Sequence, residues 1–180
     1  MRKVSLFIAM SLDGYIAKPN DDLSFLALVE KEGEDYGYTT FTKNVDTVII
    51  GRKTFDWVVR ELGTAHYDTG ERSVYVITSD KSRVNTEHIT FYADGVANLI
   101  KELRQVEGND IYCDGGAEVI NELLKHDLID EMIISIIPVL LGDGTRLFKD
   151  GRGEQILELV EAKSFSTGLT QVHYKRKDKK

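Results

Sequence analysis

The chain predicts an α/β protein: a mostly parallel sheet with helices on both faces and an antiparallel finish. Three observations carry this. The run 4–10 is nearly all apolar, the composition of a strand covered on both faces, and 46–50 and 111–113 read as further buried strands. Between such runs apolar residues recur at helical spacing, most clearly at Val119, Ile120, Leu123 and Leu124. The alternation of strand and helix holds to about Leu124, after which strands dominate.

The first strand, 4–10, ends at the turn signal Ser11-Leu12-Asp13-Gly14, and apolar character returns briefly over 15–17. Asp22 is placed to cap a helix bearing Leu23, Leu26, Leu28 and Val29, with Phe25 widening the apolar face. The acidic segment 30–38 holds two tyrosines; Gly33 and Gly37 predict a break or loop, and the carboxylates a solvated face. The strand 46–50 runs straight into Gly51-Arg52-Lys53-Thr54 and a helix carrying Phe55, Val58 and Val59. A third strand, 72–77, ends in Thr78-Ser79-Asp80-Lys81, with Arg83 just beyond.

A fourth strand over 88–92 precedes a helix marked by Val96, Leu99, Ile100 and Leu103, which Asp94 would cap. Asp110 then opens a strand that stops at Gly115-Gly116 before the helix of Val119 to Leu124. The apolar strand 131–137 is stopped by Pro138, and a turn-rich loop over 141–145 leads to Leu147 and Phe148. The last strands, 158–165 and 169–174, form a hairpin through 166–168, and 175–180 is a mostly basic tail.

The totals narrow the function. The 180 residues fit a single domain spanning 1–180 with a substantial core. Hydrophobic content of 42% and charged content of 29% are ordinary for a soluble globular protein. The net charge of −7 argues against a general nucleic-acid surface. One cysteine, Cys113, permits no intrachain disulfide, and no Cys/His spacing suggests a metal. Arg2 and Lys3 before an apolar run faintly imitate a signal peptide, but Asp13 interrupts and no cleavage pattern follows. No stretch reaches the length of a membrane span. A cytoplasmic protein is expected.

Three strand ends carry comparable chemistry: Gly51 to Thr54, Thr78 to Lys81 with Arg83, and Gly115-Gly116. In an open α/β sheet ligands lie beyond the carboxyl ends of the strands, so these sites are expected to share one crevice. Glycines let another group approach the main chain, and a helix start presents free N–H groups to an anion. No Gly-x-Gly-x-x-Gly is present, so this is not the Rossmann pattern. The four histidines are scattered; Cys113, Phe55 and Trp57 fit packing better than chemistry.

These pieces resemble a known family. Ile8-Ala9-Met10-Ser11-Leu12-Asp13-Gly14-Tyr15-Ile16-Ala17, Ile50-Gly51-Arg52-Lys53-Thr54-Phe55, Val76-Ile77-Thr78-Ser79, Asp114-Gly115-Gly116 and Pro138-Val139-Leu140-Leu141-Gly142-Asp143-Gly144 are similar to the reductase domain of bacterial riboflavin biosynthesis, and more broadly to dihydrofolate-reductase-like proteins. The resemblance implies a three-layer sandwich on a mixed eight-stranded sheet, with NADPH as hydride donor. It places Ala9 and Ile16 beside the nicotinamide. It sets Gly51, Arg52, Lys53 and Thr54 at the phosphates, and Thr78, Ser79 and Arg83 on the adenosine side. Asp114, Gly115, Gly116, Ala117 and Glu118 would approach the pyrophosphate.

On the substrate side, Asp13 is the acid indicated by motif, and holding the turn before Gly14 explains it equally well. Asp22 and Phe25 are further candidates, and Glu30 a poorer one. The Trp and Pro that precede the first-helix carboxylate of true dihydrofolate reductases are not matched, so folate is not the expected substrate. The riboflavin-pathway reaction would reduce the ribose of 5-amino-6-(5-phosphoribosylamino)uracil. No zinc deaminase signature is present, so a stand-alone reductase is expected. The alternative is a non-catalytic or regulatory NADP(H)-binding protein. By the same resemblance, the 133–137 run and the Pro138 loop would pair two copies into a homodimer.

Overall fold

The computed structural model describes residues 1–177. Its centre is an eight-stranded sheet built from β1 (Val4–Ser11), β3 (Val45–Gly51), β4 (Ser73–Ile77), β5 (Ile89–Tyr92), β6 (Asp110–Gly115), β7 (Glu131–Ile137), β9 (Leu157–Ser164) and β10 (Thr170–Arg176). The order is β5-β4-β3-β6-β1-β7-β10-β9. The first six in that row run parallel, and β10 pairs antiparallel with both β7 and β9. A separate two-stranded sheet joins β2 (Tyr15–Ala17) to β8 (Thr145–Arg146). The dihydrofolate-reductase-like arrangement expected from sequence is the one observed.

Alternation along the strands splits the core in two, because successive side chains leave a strand on opposite faces. Ile49, Ile111, Cys113, Val4 and Leu6 meet α3 (Val96–Leu103) and α4 (Ala117–Lys125) on one face. Val48, Ile50, Val74, Val76 and Tyr112 meet Phe55 and Val58 of α2 (Arg52–Leu62) on the other. Each fully buried Leu or Ile contributes about 1.5–3 kcal/mol, so these two layers dominate the folding free energy. The pairing of β1 is lopsided. It meets β6 over Val4 to Leu6 only, but stays with β7 from Ser5 to Ser11.

Several expectations need correction. The helix placed after Asp22 is two short 3₁₀ stretches, Pro19–Asp21 and Ser24–Val29. Asp22 does not cap an α-helix; its carboxylate accepts from the Ser24 N–H at 2.7 Å and closes a local turn. Such side-chain-to-backbone bonds compete with helix formation. Asp94 does not cap α3 either. Gly95 holds that position, and the Asp94 carbonyl accepts from Asn98 Nδ2 at 2.8 Å.

The acidic segment hides a short helix, α1 (Tyr38–Thr42), because Asp35 accepts from the N–H groups of Gly37 and Thr39, both at 2.9 Å. The basic tail begins later than expected. Lys175 and Arg176 belong to β10, where Lys175 pairs with Glu158 and Arg176 with Asp130. Residues 178–180 of that tail lie outside the described residues.

β7 has β1 on one side and β10 on the other, so the 133–137 run has no free edge for strand-to-strand pairing. The open edge at that end of the sheet is β9, where Leu159 and Val160 are 54% and 50% exposed. Among the described residues no helix is long and apolar enough to cross a membrane.

Candidate functional site at the carboxyl ends of the sheet

β3 and β6 are neighbours, and each runs directly into a helix. The two helix starts therefore meet. Gly51 is the N-cap of α2 and Gly116 the N-cap of α4, and neither end has a side-chain cap. A Cβ on Gly51 would lie 3.5 Å from the Gly116 nitrogen and 3.2 Å from Val119 Cγ2. A Cβ on Gly116 would fall 2.6 Å from Thr54 Oγ1, inside any normal contact. The peptide between Gly115 and Gly116 is cis. Two helix N-termini packed this closely put their free N–H groups and positive dipole ends in one place, which suits a phosphate.

The third strand end is tied to the same place by Asp56. Its carboxylate accepts from Arg52 on α2 at 3.0 Å and from Arg83, in the loop after β4, at 2.9 Å. Arg83 is also 3.7 Å from the Asp80 carboxylate, so Arg52 and Arg83 face two carboxylates, and exposed Lys53 supplies the excess positive charge. Arg83 also lies 5.4 Å over the Phe91 ring. The Thr78 hydroxyl accepts from the Asp80 N–H at 3.0 Å and shapes that loop, which leaves Ser79 exposed. The three strand ends thus form one continuous surface.

Beside it, on the α2 face of the sheet, lies a cavity of about 640 Å³. Its floor is Phe7 and Ala9 of β1 with Ser135 and Ile137 of β7. Leu26, Val29, Tyr36 and Tyr38 form the wall, and Glu30 to Asp35 supply the rim. Asp114 stands between cavity and helix starts. It accepts hydrogen bonds from the hydroxyls of Tyr67 and Tyr112, the latter at 2.7 Å. Burial first, and the Asp114 charge second, hold the phenols of Tyr112, Tyr67 and Tyr38 above their ordinary value, so all three keep their protons.

Several predicted site residues face elsewhere. Glu118 is 85% exposed on its side chain and pairs with Lys149, not with the helix starts. Asp114 is an acceptor committed to two tyrosines and has nothing to donate to a pyrophosphate. Ala117 is buried at the start of α4. Ile16 packs against the core on the α3–α4 face, whereas Ala9 lines the cavity on the other, so the two do not flank one site. Phe25 is 2% exposed and packs with Val29, Ile137 and Leu169, behind the cavity lining. Asp22 is exposed, and the Ser24 N–H and hydroxyl lower its pKa. Of the acids weighed on sequence, only Glu30 lines the cavity.

Asp13 has a different task from proton donation. It accepts from the Ser11 hydroxyl at 2.6 Å and from the N–H groups of Leu141 and Gly142 at 3.1 and 2.7 Å. Those donors, Ser11 foremost, pull its pKa down to about 2, so it carries no proton near neutrality. It clamps the loop after β7. Because the folded pKa lies below the ordinary 3.8, this anchoring is complete above about pH 4 and fades as pH falls towards 2. Asp13→Asn should speed amide exchange at Leu141 and Gly142 about tenfold at neutral pH, the scale of a charged hydrogen bond lost. Unchanged exchange at both amides would remove the clamp.

Tyr36, Tyr38, Tyr67, Tyr112 and Ser135 were not singled out by sequence reasoning. Ser135 left one signal, as the only hydroxyl in an otherwise apolar strand core. The tyrosines left none, since only the folded sheet gathers them.

The comparisons with known proteins agree with this architecture. YwjB of Bacillus subtilis (strain 168) is 41% identical over 175 residues, covering 97% of this chain and 98% of its own. A structure from Shewanella sp. PV-4, assigned by its description to riboflavin biosynthesis, superposes with a TM-score of 0.87 at 30% identity, covering 98% of this chain and 99% of the other. Dihydrofolate reductase from Enterococcus faecalis, complexed with NADP(H), shares the fold with a TM-score of 0.63 at 16% identity, over 98% and 97% of the two chains. Residues 2–171 match the RibD C-terminal domain, and the chain belongs to that family.

Proposed function

We propose that the protein is an NADPH-dependent reductase of a small heterocyclic compound of the riboflavin-pathway type. One observation carries the reading: two uncapped helix starts abut at Gly116 and Thr54, next to a cavity floored by Ala9. The residues suit the cofactor. Gly116 lets the start of α4 pack directly on Thr54 of α2, and the N–H groups of Arg52 to Thr54 are the donors offered to a phosphate. Arg52 and Arg83 suit a 2′-phosphate, which guanidinium holds through paired bonds. When bound, the nicotinamide supplies a hydride. The chain's own part is to fix the phosphates, hold the substrate over Ala9 and keep a donor at hand. Tyr38, whose phenol stays protonated, is the lining group for that last task. The relatives' family and the NADP(H) in the enterococcal enzyme support the same reading.

The test is a titration with NADPH and NADH, followed by quenching of Trp57 on α2, and then turnover with 5-amino-6-ribosylaminouracil compounds, pterins and imines. Preferential NADPH binding with oxidation by one of these is expected. Binding without oxidation across the panel would favour the non-catalytic alternative, and equal affinity for both cofactors would remove the role of the two arginines.

A further inference from the structure

We propose that the cavity over Ala9 takes an unphosphorylated, amino-bearing heteroaromatic compound and turns away the phosphorylated form of the same compound. This rests on the reductase reading and narrows its substrate class. The lining holds four carboxylates, Glu30, Glu32, Glu34 and Asp35, against one ammonium, Lys31. Lys31 is already directed at Ser166 Oγ, 2.9 Å away. A phosphate dianion placed among these groups meets like charge and finds no guanidinium in the lining.

The backbone offers it no refuge either. The helix start nearest the rim is that of α1, and Asp35 already occupies the N–H groups of Gly37 and Thr39. The open starts of α2 and α4 lie at the place assigned to the cofactor. Phosphate-binding chemistry is therefore concentrated on one side of the groove and withheld from the other.

What the cavity does offer suits a flat ring with amino groups on its edge. Phe7, Tyr36 and Tyr38 are aromatic wall. Tyr36 is held rigid, its hydroxyl donating to the Val29 carbonyl and lying 3.0 Å from Thr167 Oγ1. The carboxylates of Glu30 and Glu32 make no hydrogen bond or ion pair among the described residues, which leaves both as acceptors for ring amino groups. Independently, Ser135 on the floor is only 4% exposed. Its hydroxyl accepts from Gln171 Nε2 at 3.0 Å and donates to nothing among the described residues. A buried donor without an acceptor, inside a cavity of this size, marks a place for a polar ligand atom.

The experiment compares 5-amino-6-(5-phosphoribosylamino)uracil with the same compound after phosphatase treatment, by calorimetry with and without NADPH. The dephosphorylated probe should bind at least tenfold more tightly, with the gap closing at high salt. In Glu30→Gln/Glu32→Gln, both exposed positions that should not affect folding, the gap should shrink at least threefold. Equal or tighter binding of the phosphorylated probe, a gap untouched by the double variant, or binding of neither probe would overturn the proposal. A preference that persists while NADPH fails to bind supports the cavity's selectivity and sinks the reductase reading instead, so the two failures are distinguishable.

Discussion

Gly144→Ala is expected to destabilise the protein by about 4 kcal/mol and to lower its melting temperature by about 10 °C. A Cβ there would lie 2.1 Å from the Ala17 carbonyl oxygen and 3.1 Å from both Ala17 C and Lys18 Cα. All three are backbone atoms, so no side chain can swing aside. The position also has φ +137, a conformation side chains rarely adopt. Relief would have to come from separating β2 and β8, which pair Ala17 with Thr145. That motion pulls on Leu147, which is fully buried and whose N–H is bonded to the Gly14 carbonyl at 2.9 Å. Gly142→Ala is the control: its φ is also positive, but nothing lies within 4 Å, so about 1 kcal/mol is expected. Thermal melts of the two variants check this, and equal shifts would mean that the Ala17 contact is not the cause.

Removing both arginines of the Asp56 cluster, in Arg52→Ala/Arg83→Ala, should weaken NADPH binding at least about 100-fold and NADH binding about threefold or less. A hydrogen bond from a charged donor contributes about 1.5–3 kcal/mol, and two are lost. The loss should exceed the sum of the single variants. When Arg52 alone is removed, Arg83 still neutralises Asp56; with both gone, Asp56 faces the 2′-phosphate unpaired. Asp56→Asn should act in the opposite direction and tighten NADPH a fewfold, because it removes the anion that both guanidinium groups share and leaves only Asp80 beside Arg83. Opposite signs for neighbouring substitutions separate an electrostatic role from local damage. Parallel losses of NADPH and NADH in the arginine variant would instead show that the cluster serves the fold.

Legibility in the sequence followed the range of the interactions. Strands and the longer helices were readable because burial marks each: a short apolar run in β3, covered on both faces, and a period of about 3.6 in Val119 to Leu124. The chemistry at strand ends was readable too, since Gly51 to Thr54 and Gly115-Gly116 are contiguous and differ from ordinary turns. Caps proved harder. Asp22, Asp35 and Asp94 look alike in sequence, yet one closes a turn, one starts α1 and one offers only its carbonyl. Their roles depend on which backbone N–H lies free, which the tertiary fold decides. Asp13 had two readings from its motif, and its partners at Leu141 and Gly142, 128 and 129 residues away, give it the structural one. The cavity was least visible of all. Its floor needs β1 beside β7 and its rim comes from a segment whose composition suggested solvent.

The uneven zipper along β1 has a final consequence. Past Leu6 no rung joins it to β6, so the sheet parts there like a book held open at its spine. Just beyond that point, Phe7 and Ala9 of β1 floor the cavity. Under the reductase reading proposed above, a flat ring would enter at that parting with no sheet bond having to break first.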